Sequence, residues 1–227
     1  MRTILFVAPL FEDDTSAGIA ERAFVESVAK EGNVVTVICI EGKNVVAIPG
    51  IDVVRIQESK FVYNLFRVLR KIHFTDLMQS PDHFRYSWNR TAFKMVKHIC
   101  KKKNFDIVHS FCFPCSSHLL AYKIHSYYGF PWIAHFMDPW VGNPIRKFKS
   151  DCGKQYDAKQ EEVIVRNAQF ILHTNDKIIQ DWITRYGDAV RYKIGKLPLV
   201  NTWSPDIQYS KEEKDKFTIT HIGTFHA

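Results

Sequence analysis

Residues 129–144 read GFPWIAHFMDPWVGNP, and this stretch decides which fold the sequence predicts. A glycine and a proline break the chain just before an apolar run at residues 132–137, whose length suits a strand buried on both faces. The run stops at Asp138 and Pro139, because proline cannot continue a hydrogen-bonded ladder. Asp138 is therefore expected at the carboxyl end of a strand, where open α/β sheets bind ligands. The alternative is that Asp138 only caps the following turn.

Apolar runs of strand length alternate with segments of helix length on both sides of this stretch. The predicted strands cover residues 4–10, 33–40, 51–56, 106–110, 132–137, 170–174 and 192–197. The predicted helices cover residues 18–31, 60–74, 85–103, 116–128, 157–166 and 176–186, the last capped by Asn175. Because parallel strands need helical crossovers, this alternation predicts a Rossmann-like, doubly wound and mostly parallel α/β sheet.

A change in composition near residue 200 predicts a domain boundary. Residues 1–200 form the predicted Rossmann-like domain. Residues 201–216 are polar and charged and show no apolar period, which is typical of a linker. Residues 217–223, FTITHIG, form a new apolar strand shortly before the sequence stops at residue 227. We therefore expect residues 217–227 to be the first strand of a second domain that is truncated.

The positive charge of the chain is concentrated in one segment. The formal net charge is +7, whereas residues 60–103 hold eleven Lys or Arg and only two acids. Such a one-sided basic region implies an anionic partner. The cations expected on this surface include Arg67, Arg70, Lys71, Lys101, Lys102 and Lys103.

The segment at 60–74 helps to choose among anionic partners. It has apolar residues on one side and cations on the other, which favours an anionic membrane surface. Nucleic acid is not expected as a partner, because no recognition module is present. The alternative is an ordinary solvated face without a partner.

Cysteine and hydrophobic patterns limit the function classes further. No window approaches the roughly 18 apolar residues of a membrane span, and the start lacks a secretory signal. Five cysteines without scaffold spacing indicate a reducing cytoplasm. Cys112 and Cys115 flank a strand–helix junction, as a redox dithiol would; the alternative is two half-buried thiols beside a functional loop. Neither the cysteines nor the histidines show metal-ligand spacing, so no metal site is predicted.

Two loops supply candidate ligand-binding residues. Ala17 and Gly18 begin a helix, where glycine lets backbone N–H groups approach a phosphate or a sugar hydroxyl. The alternative is a simple turn glycine, and the G-x-G-x-x-G pattern of NAD- and FAD-binding proteins is absent. His109 is kept as a candidate because it stands near the carboxyl end of its strand.

Four short motifs occur in a characteristic order. They are SAGIAER at 16–22, FDIVH at 105–109, HFMDPW at 135–140 and LPLVN at 197–201. Together they resemble the amino-terminal half of bacterial family-4 glycosyltransferases of the two-Rossmann-domain (GT-B) type, and HFMDPW is similar to the D-F-R-D-P-W stretch of one bacterial branch. The chain departs from that pattern at Ala17, where a second glycine is usual, and at His135 and Met137, which replace Asp and Arg. The paired glutamates of the donor domain have no counterpart in the 227 residues.

The resemblance implies transfer of a sugar from a nucleotide-sugar donor to an acceptor hydroxyl, with retention of configuration and without a cofactor or metal. Residues 1–200 would supply the acceptor side of the cleft and be inactive alone. Asp138 is the expected catalytic residue, which handles or orients the acceptor proton. The residues expected to contact substrate are Ala17, Gly18, His109 and Trp140.

The resemblance also implies a place of action. Enzymes of this type assemble polysaccharides or glycolipids in the cytoplasm, and many act peripherally on the inner membrane face with lipid-linked acceptors. Two other functions stay open at this point. One is a stand-alone Rossmann-like binding module for an anionic ligand or a membrane surface, and the other is a redox protein that acts through Cys112 and Cys115.

Overall fold

The computed structural model describes residues 1–42, 45, 47–71, 80–143 and 150–198, without the side chains of Arg70 and Lys71. The predicted linker at 201–216 and the strand expected within 217–227 lie outside the described residues. The domain boundary near residue 200 therefore stays a prediction.

The described chain is built around one sheet of seven strands. They are β1 (Thr3–Val7), β2 (Val34–Ile40), β3 (Ile51–Ile56), β4 (Ile107–Cys112), β5 (Trp132–Phe136), β6 (Phe170–His173) and β7 (Ile194–Lys196). Their spatial order is β3-β2-β1-β4-β5-β6-β7, and every neighbouring pair is parallel. The prediction of a Rossmann-like, doubly wound α/β fold is confirmed.

Helices cover both faces of this sheet. In the described chain they are α1 (Ser16–Lys30), α2 (Lys60–Lys71), α3 (Phe84–Ser87), α4 (Asn89–Ile99), α5 (Ser116–Tyr128), α6 (Asp151–Asn167) and α7 (Asp176–Tyr186). A 3-10 helix at Asp188–Lys193 precedes β7. Side-chain oxygens of Thr15, Ser150 and Asn175 cap α1, α6 and α7 by accepting hydrogen bonds from first-turn backbone N–H groups.

The alternation of side chains along each strand divides the interior into two cores. On one face, Leu5 and Val7 of β1 join a large core against α4, α5, α6 and α7. On the other face, Ile4 and Phe6 join a smaller core against α1. Strands buried on both faces read as continuous apolar runs, which is why the sequence located them correctly.

The predicted boundaries differ most from the structure in three places. The helix predicted at 85–103 is two helices, because the fully buried indole of Trp88 lies at their junction and donates to the Ile56 carbonyl oxygen at 3.2 Å. The first strand ends at Val7 rather than residue 10, because residues 8–13 form turns. The α6 helix begins at Asp151 rather than 157, because Ser150 caps it. Among the described helices, none has both the length and the apolar content required to cross a bilayer.

Candidate functional site

The carboxyl ends of the strands meet at one edge of the sheet, which is where folds of this class bind ligands. The strand order reverses between β1 and β4, since β2 and β3 lie on one side of this pair and β5, β6 and β7 lie on the other. The connections that leave β1 and β4 therefore diverge, and folds of this class form their ligand crevice at such a point.

Gly18 packs tightly against the backbone of the loop that joins β1 to α1. A Cβ atom at this position would collide with the backbone carbonyl oxygens of Leu10 and Asp13. Arg22 fixes the same loop by donating two hydrogen bonds of 2.8 Å, one to the Phe11 carbonyl and one to the Asp13 carbonyl. The packing of the β1–α1 loop is therefore sufficient to explain the glycine. The predicted ligand contacts of Gly18 and of its half-buried neighbour Ala17 stay predictions.

His109 lies beneath α1 rather than at the open edge of the sheet. Its side chain is buried, and its Nε2 atom is 3.4 Å from Nδ1 of His135 on the neighbouring strand. The rings of Phe24 and Phe111 pack against both histidines. Burial, followed by the neighbouring His135, lowers the pKa of His109 well below its ordinary value, so the imidazole is neutral near pH 7.

Asp138 is placed as the sequence predicts, just beyond the end of β5, and it is exposed. Trp140 in the same turn has no exposed surface, and its indole N–H has no hydrogen-bond partner in the described chain. In this conformation the Trp140 ring belongs to the large core. Its predicted role in substrate contact would need the turn to open.

A buried carboxylate that the sequence did not single out holds this turn in place. Glu161 of α6 is fully buried, and its Oε2 atom accepts a hydrogen bond of 2.7 Å from the Val141 backbone N–H. Its Oε1 atom accepts from the side chains of Trp182, Arg185 and Tyr186 at 2.7–3.2 Å. Burial, together with the Glu161 charge, raises the pKa of the Tyr186 phenol. The Asp138 turn is therefore anchored to α6 and α7.

Two adjoining cavities open on the other flank of this edge, at the ends of β1, β2 and β3. Their volumes are about 450 and about 580 Å³, and the two share Ile40, Glu41, Gly42 and Glu58 in their walls. The described lining residues do not include Asp138, His109 or Trp140. The structure therefore separates the predicted catalytic residue from the concave surface next to the β1–α1 loop.

Glu58 is held in the wall of both cavities by two neighbours. Its Oε1 atom accepts a hydrogen bond of 2.5 Å from Ser87 Oγ and lies 3.1 Å from His83 Nε2. The distance to His83 is that of an ion pair when the imidazole is protonated, although the contact lacks hydrogen-bond geometry. Sequence reasoning missed Glu58, although this residue follows a predicted strand just as Asp138 does.

The cations expected on the basic surface lie on α2 and beyond the end of α4. On α2, Arg67 is exposed beside the apolar side chains of Phe61, Leu65 and Val68, whose exposed fractions are 78%, 45% and 53%. The side chains of Arg70 and Lys71 lie outside the described residues. Lys101 and Lys102 are exposed beyond the end of α4. In contrast, Lys103 donates to Thr36 at 2.5 Å and lies 3.8 Å from Asp52, so its charge is paired.

The two cysteines after β4 are both fully buried, rather than half-buried as expected. Their sulfur atoms are 2.9 Å apart. The redox function considered from the sequence stays untested.

Comparisons with known proteins show which fold this is. No protein-family model and no curated protein matches the chain. Among the solved structures that match, a glycosyltransferase from Rickettsia africae has a TM-score of 0.51 at 16% identity, and the match covers 87% of this chain and 42% of that one. Phytolacca americana UGT2 has a TM-score of 0.56 at 10% identity, with 89% of this chain and 54% of that one covered. Medicago truncatula UGT71G1 has a TM-score of 0.52 at 10% identity, with 91% and 54% of the two chains covered.

This chain shares their fold. It spans about half the length of each of these structures, and the seven-stranded parallel sheet is the Rossmann-like architecture of GT-B glycosyltransferases. At such low identity the likeness extends to the fold and not to the activity. The UGT2 structure contains UDP-2-fluoro-glucose and pterostilbene, and the UGT71G1 structure contains UDP-glucose.

Proposed function

We propose that this chain is the acceptor-side part of a glycosyltransferase that moves a sugar from a nucleotide-sugar donor to an acceptor hydroxyl. The observation that carries the proposal is the shared fold with about half of three glycosyltransferases, two of them bound to a UDP-sugar. Polysaccharide or glycolipid assembly with retention of configuration is the finer form of the proposal. It is supported by the HFMDPW motif at 135–140.

Asp138 is the proposed catalytic residue of this reaction. The acceptor oxygen forms a bond to the anomeric carbon, the bond from that carbon to the leaving phosphate oxygen breaks, and the acceptor hydroxyl loses its proton. A carboxylate within hydrogen-bond reach can accept or orient that proton. Asp138 suits this role because it is exposed at the carboxyl edge of the sheet, on a turn fixed by the bond from Val141 to Glu161.

The first experiment measures nucleotide release from a panel of UDP- and GDP-sugars, using protein expressed from its complete reading frame. We expect release with one donor, and we expect Asp138→Asn to abolish it. Release that survives this substitution would keep the enzyme and remove Asp138 from the reaction. A folded protein that releases nucleotide from no donor, with or without added saccharide acceptors, would contradict the proposed function.

We also propose that helix α2 binds the anionic inner face of the cytoplasmic membrane, where a lipid-linked acceptor would lie. Exposed Phe61, Leu65 and Val68 can enter the interface while Lys60 and Arg67 face lipid phosphates. Cosedimentation with vesicles that contain anionic lipid tests this. The variant Phe61→Ser/Arg67→Glu should lose binding, whereas Lys30→Glu, a charge reversal at the exposed end of α1, is the control and should bind as the wild type does. Equal binding by the wild type and the α2 variant would rule out α2 as the docking surface.

A further inference from the structure

The two cavities at the ends of β1, β2 and β3 have no part in the proton transfer assigned to Asp138. We propose that they bind a neutral saccharide unit of an extended acceptor glycan, with Glu58 as the residue that determines specificity. This proposal rests on the proposed function, because an acceptor glycan binds here only if the protein transfers a sugar.

The size and construction of the cavities suit a small polar ligand. Volumes of about 450 and about 580 Å³ fall within the range of small-molecule sites. Gly42 lies in the wall that the two cavities share, and a Cβ atom there would collide with Glu12. The backbone N–H of Gly42 donates to Glu12 Oε2 at 3.3 Å, so the loops after β1 and β2 are joined. This hydrogen bond fixes the wall that the two cavities share.

The side chains around the cavities combine aromatic rings with one oriented carboxylate. Phe84 lines the first cavity and Tyr63 lines the second, and both rings pack against His83. Glu58 lies in both walls, and its Oε1 atom is occupied by Ser87 and His83. Its Oε2 atom accepts no hydrogen bond from the described part of the chain and is therefore the atom available to a ligand. Aromatic rings offer packing area to the C–H faces of a sugar, and a carboxylate accepts strong hydrogen bonds from hydroxyl groups.

The charge around the cavities opposes an anionic ligand. Asp13, Glu41 and Glu58 all line the first cavity. Among the described residues that line either cavity, the one cation is Lys60, which lies in the wall of the second. A phosphate brought among these carboxylates would be repelled. The site therefore selects an uncharged saccharide rather than a phosphorylated sugar, although the chain as a whole has a net charge of +7.

The distance from the cavities to Asp138 indicates an extended acceptor. β5 is separated from β1 by β4 alone, and neighbouring strands lie about 4.8 Å apart. Asp138 therefore lies roughly 10 Å across the sheet from the β1 side of the cavities. A glycan whose reacting hydroxyl is at Asp138 reaches the cavities with a sugar unit further along its chain.

Saturation-transfer NMR tests the site on this chain, with cellobiose and N-acetylchitobiose as neutral probes and glucose 1-phosphate as the anionic probe. We expect signal from at least one neutral disaccharide and none from glucose 1-phosphate. Glu58→Gln should weaken disaccharide binding about tenfold, the effect of losing one charge-assisted hydrogen bond. Glu31→Gln, an exposed carboxylate at the far end of α1, is the matched control and should bind as the wild type does.

Three results would overturn the assignment. They are equal binding of glucose 1-phosphate and the disaccharides, equal binding by Glu58→Gln and the wild type, and no binding of either neutral disaccharide. Failure of the proposed function is a separate result, because it appears as the absence of nucleotide release from every donor while saccharide binding persists. Nucleotide release without saccharide binding would contradict the cavity assignment alone.

Discussion

The two flanks of the carboxyl edge differ in how they hold their carboxylates. On the β5 flank, Glu161 is fully buried, takes hydrogen bonds from four donors and keeps the Asp138 turn closed over Trp140. On the β1–β3 flank, Glu58 is partly exposed and lines two open cavities, and its Oε2 atom accepts no hydrogen bond in the described chain. The first flank is built for rigidity and the second for contact with a ligand. The HFMDPW motif identifies the β5 flank from the sequence, whereas the β1–β3 flank is recognised only from the cavities in the structure.

The largest effect should come from removing the buried anchor of the β5 flank. Glu161→Ala removes the acceptor of the Val141 N–H and of the Trp182 and Tyr186 side chains. It also removes the buried one of the two carboxylates that pair with Arg185, the other being that of Asp181. We expect a loss of about 3–5 kcal/mol in the free energy of unfolding, measured by urea denaturation. Glu162→Ala, the neighbouring residue with a surface pair to Arg166, should cost less than about 1 kcal/mol. Equal losses would show that Glu161 is no anchor.

The histidine pair between the flanks predicts an acid-sensitive fold. Burial lowers the pKa of His135 from 6.5 to about 4, so the neutral imidazole is the form that the folded state stabilises. This contribution is fully present above pH 6.5 and is lost as the pH falls towards 4, because the unfolded chain binds the proton first. The loss should be about 3 kcal/mol, since one pKa unit corresponds to about 1.4 kcal/mol. His135→Gln should flatten the dependence of unfolding free energy on pH, with His98→Gln at an exposed position as control; an unchanged slope would contradict the placement of His135.

The β1–α1 loop gives an intermediate effect. Gly18→Ala places a methyl group against the carbonyl oxygens of Leu10 and Asp13, so the loop must move. We expect a cost of about 1–3 kcal/mol in thermal or urea unfolding. Ala17→Gly, one residue earlier, tests the same turn without added bulk and should cost no more than about 1 kcal/mol. If Gly18→Ala is fully stable, the glycine would be explained by a ligand rather than by this loop.

The smallest effect on stability should come from the open flank. Glu58→Gln keeps an oxygen that can accept from Ser87, and the side chain is partly exposed, so unfolding free energy should change by less than about 1 kcal/mol. The same substitution is expected to weaken saccharide binding, which separates a ligand-binding carboxylate from a structural one. A loss as large as that of Glu161→Ala would make the two flanks alike.

The sequence predicted the strands because β1, β2, β4 and β5 are buried on both faces and read as continuous apolar runs. It also placed Asp138 at the end of β5, since proline must end the strand. It could not predict that Trp140 turns into the core or that Glu161 holds the turn, because both depend on contacts with α6 and α7 that are distant in sequence. The break at Trp88 was missed for the same reason, since its indole bonds to Ile56 across the fold.

The cavities were missed because concavity arises from several loops at once. Glu58 follows β3 and His83 precedes α3, and no local pattern indicates that they meet. The rule that marked Asp138 as a candidate would have marked Glu58 as well, had it been applied to the end of every predicted strand.

The most direct test of the whole account is steady-state sugar transfer to a disaccharide acceptor by the protein from its complete reading frame. Asp138→Asn should lower kcat, because Asp138 acts on the proton at the reacting hydroxyl. Glu58→Gln should raise KM for the acceptor with kcat nearly unchanged, because it removes binding that is equal in the ground and transition states. The opposite assignment of the two effects, or normal transfer by both variants, would contradict the division between a reacting flank and an acceptor-binding flank.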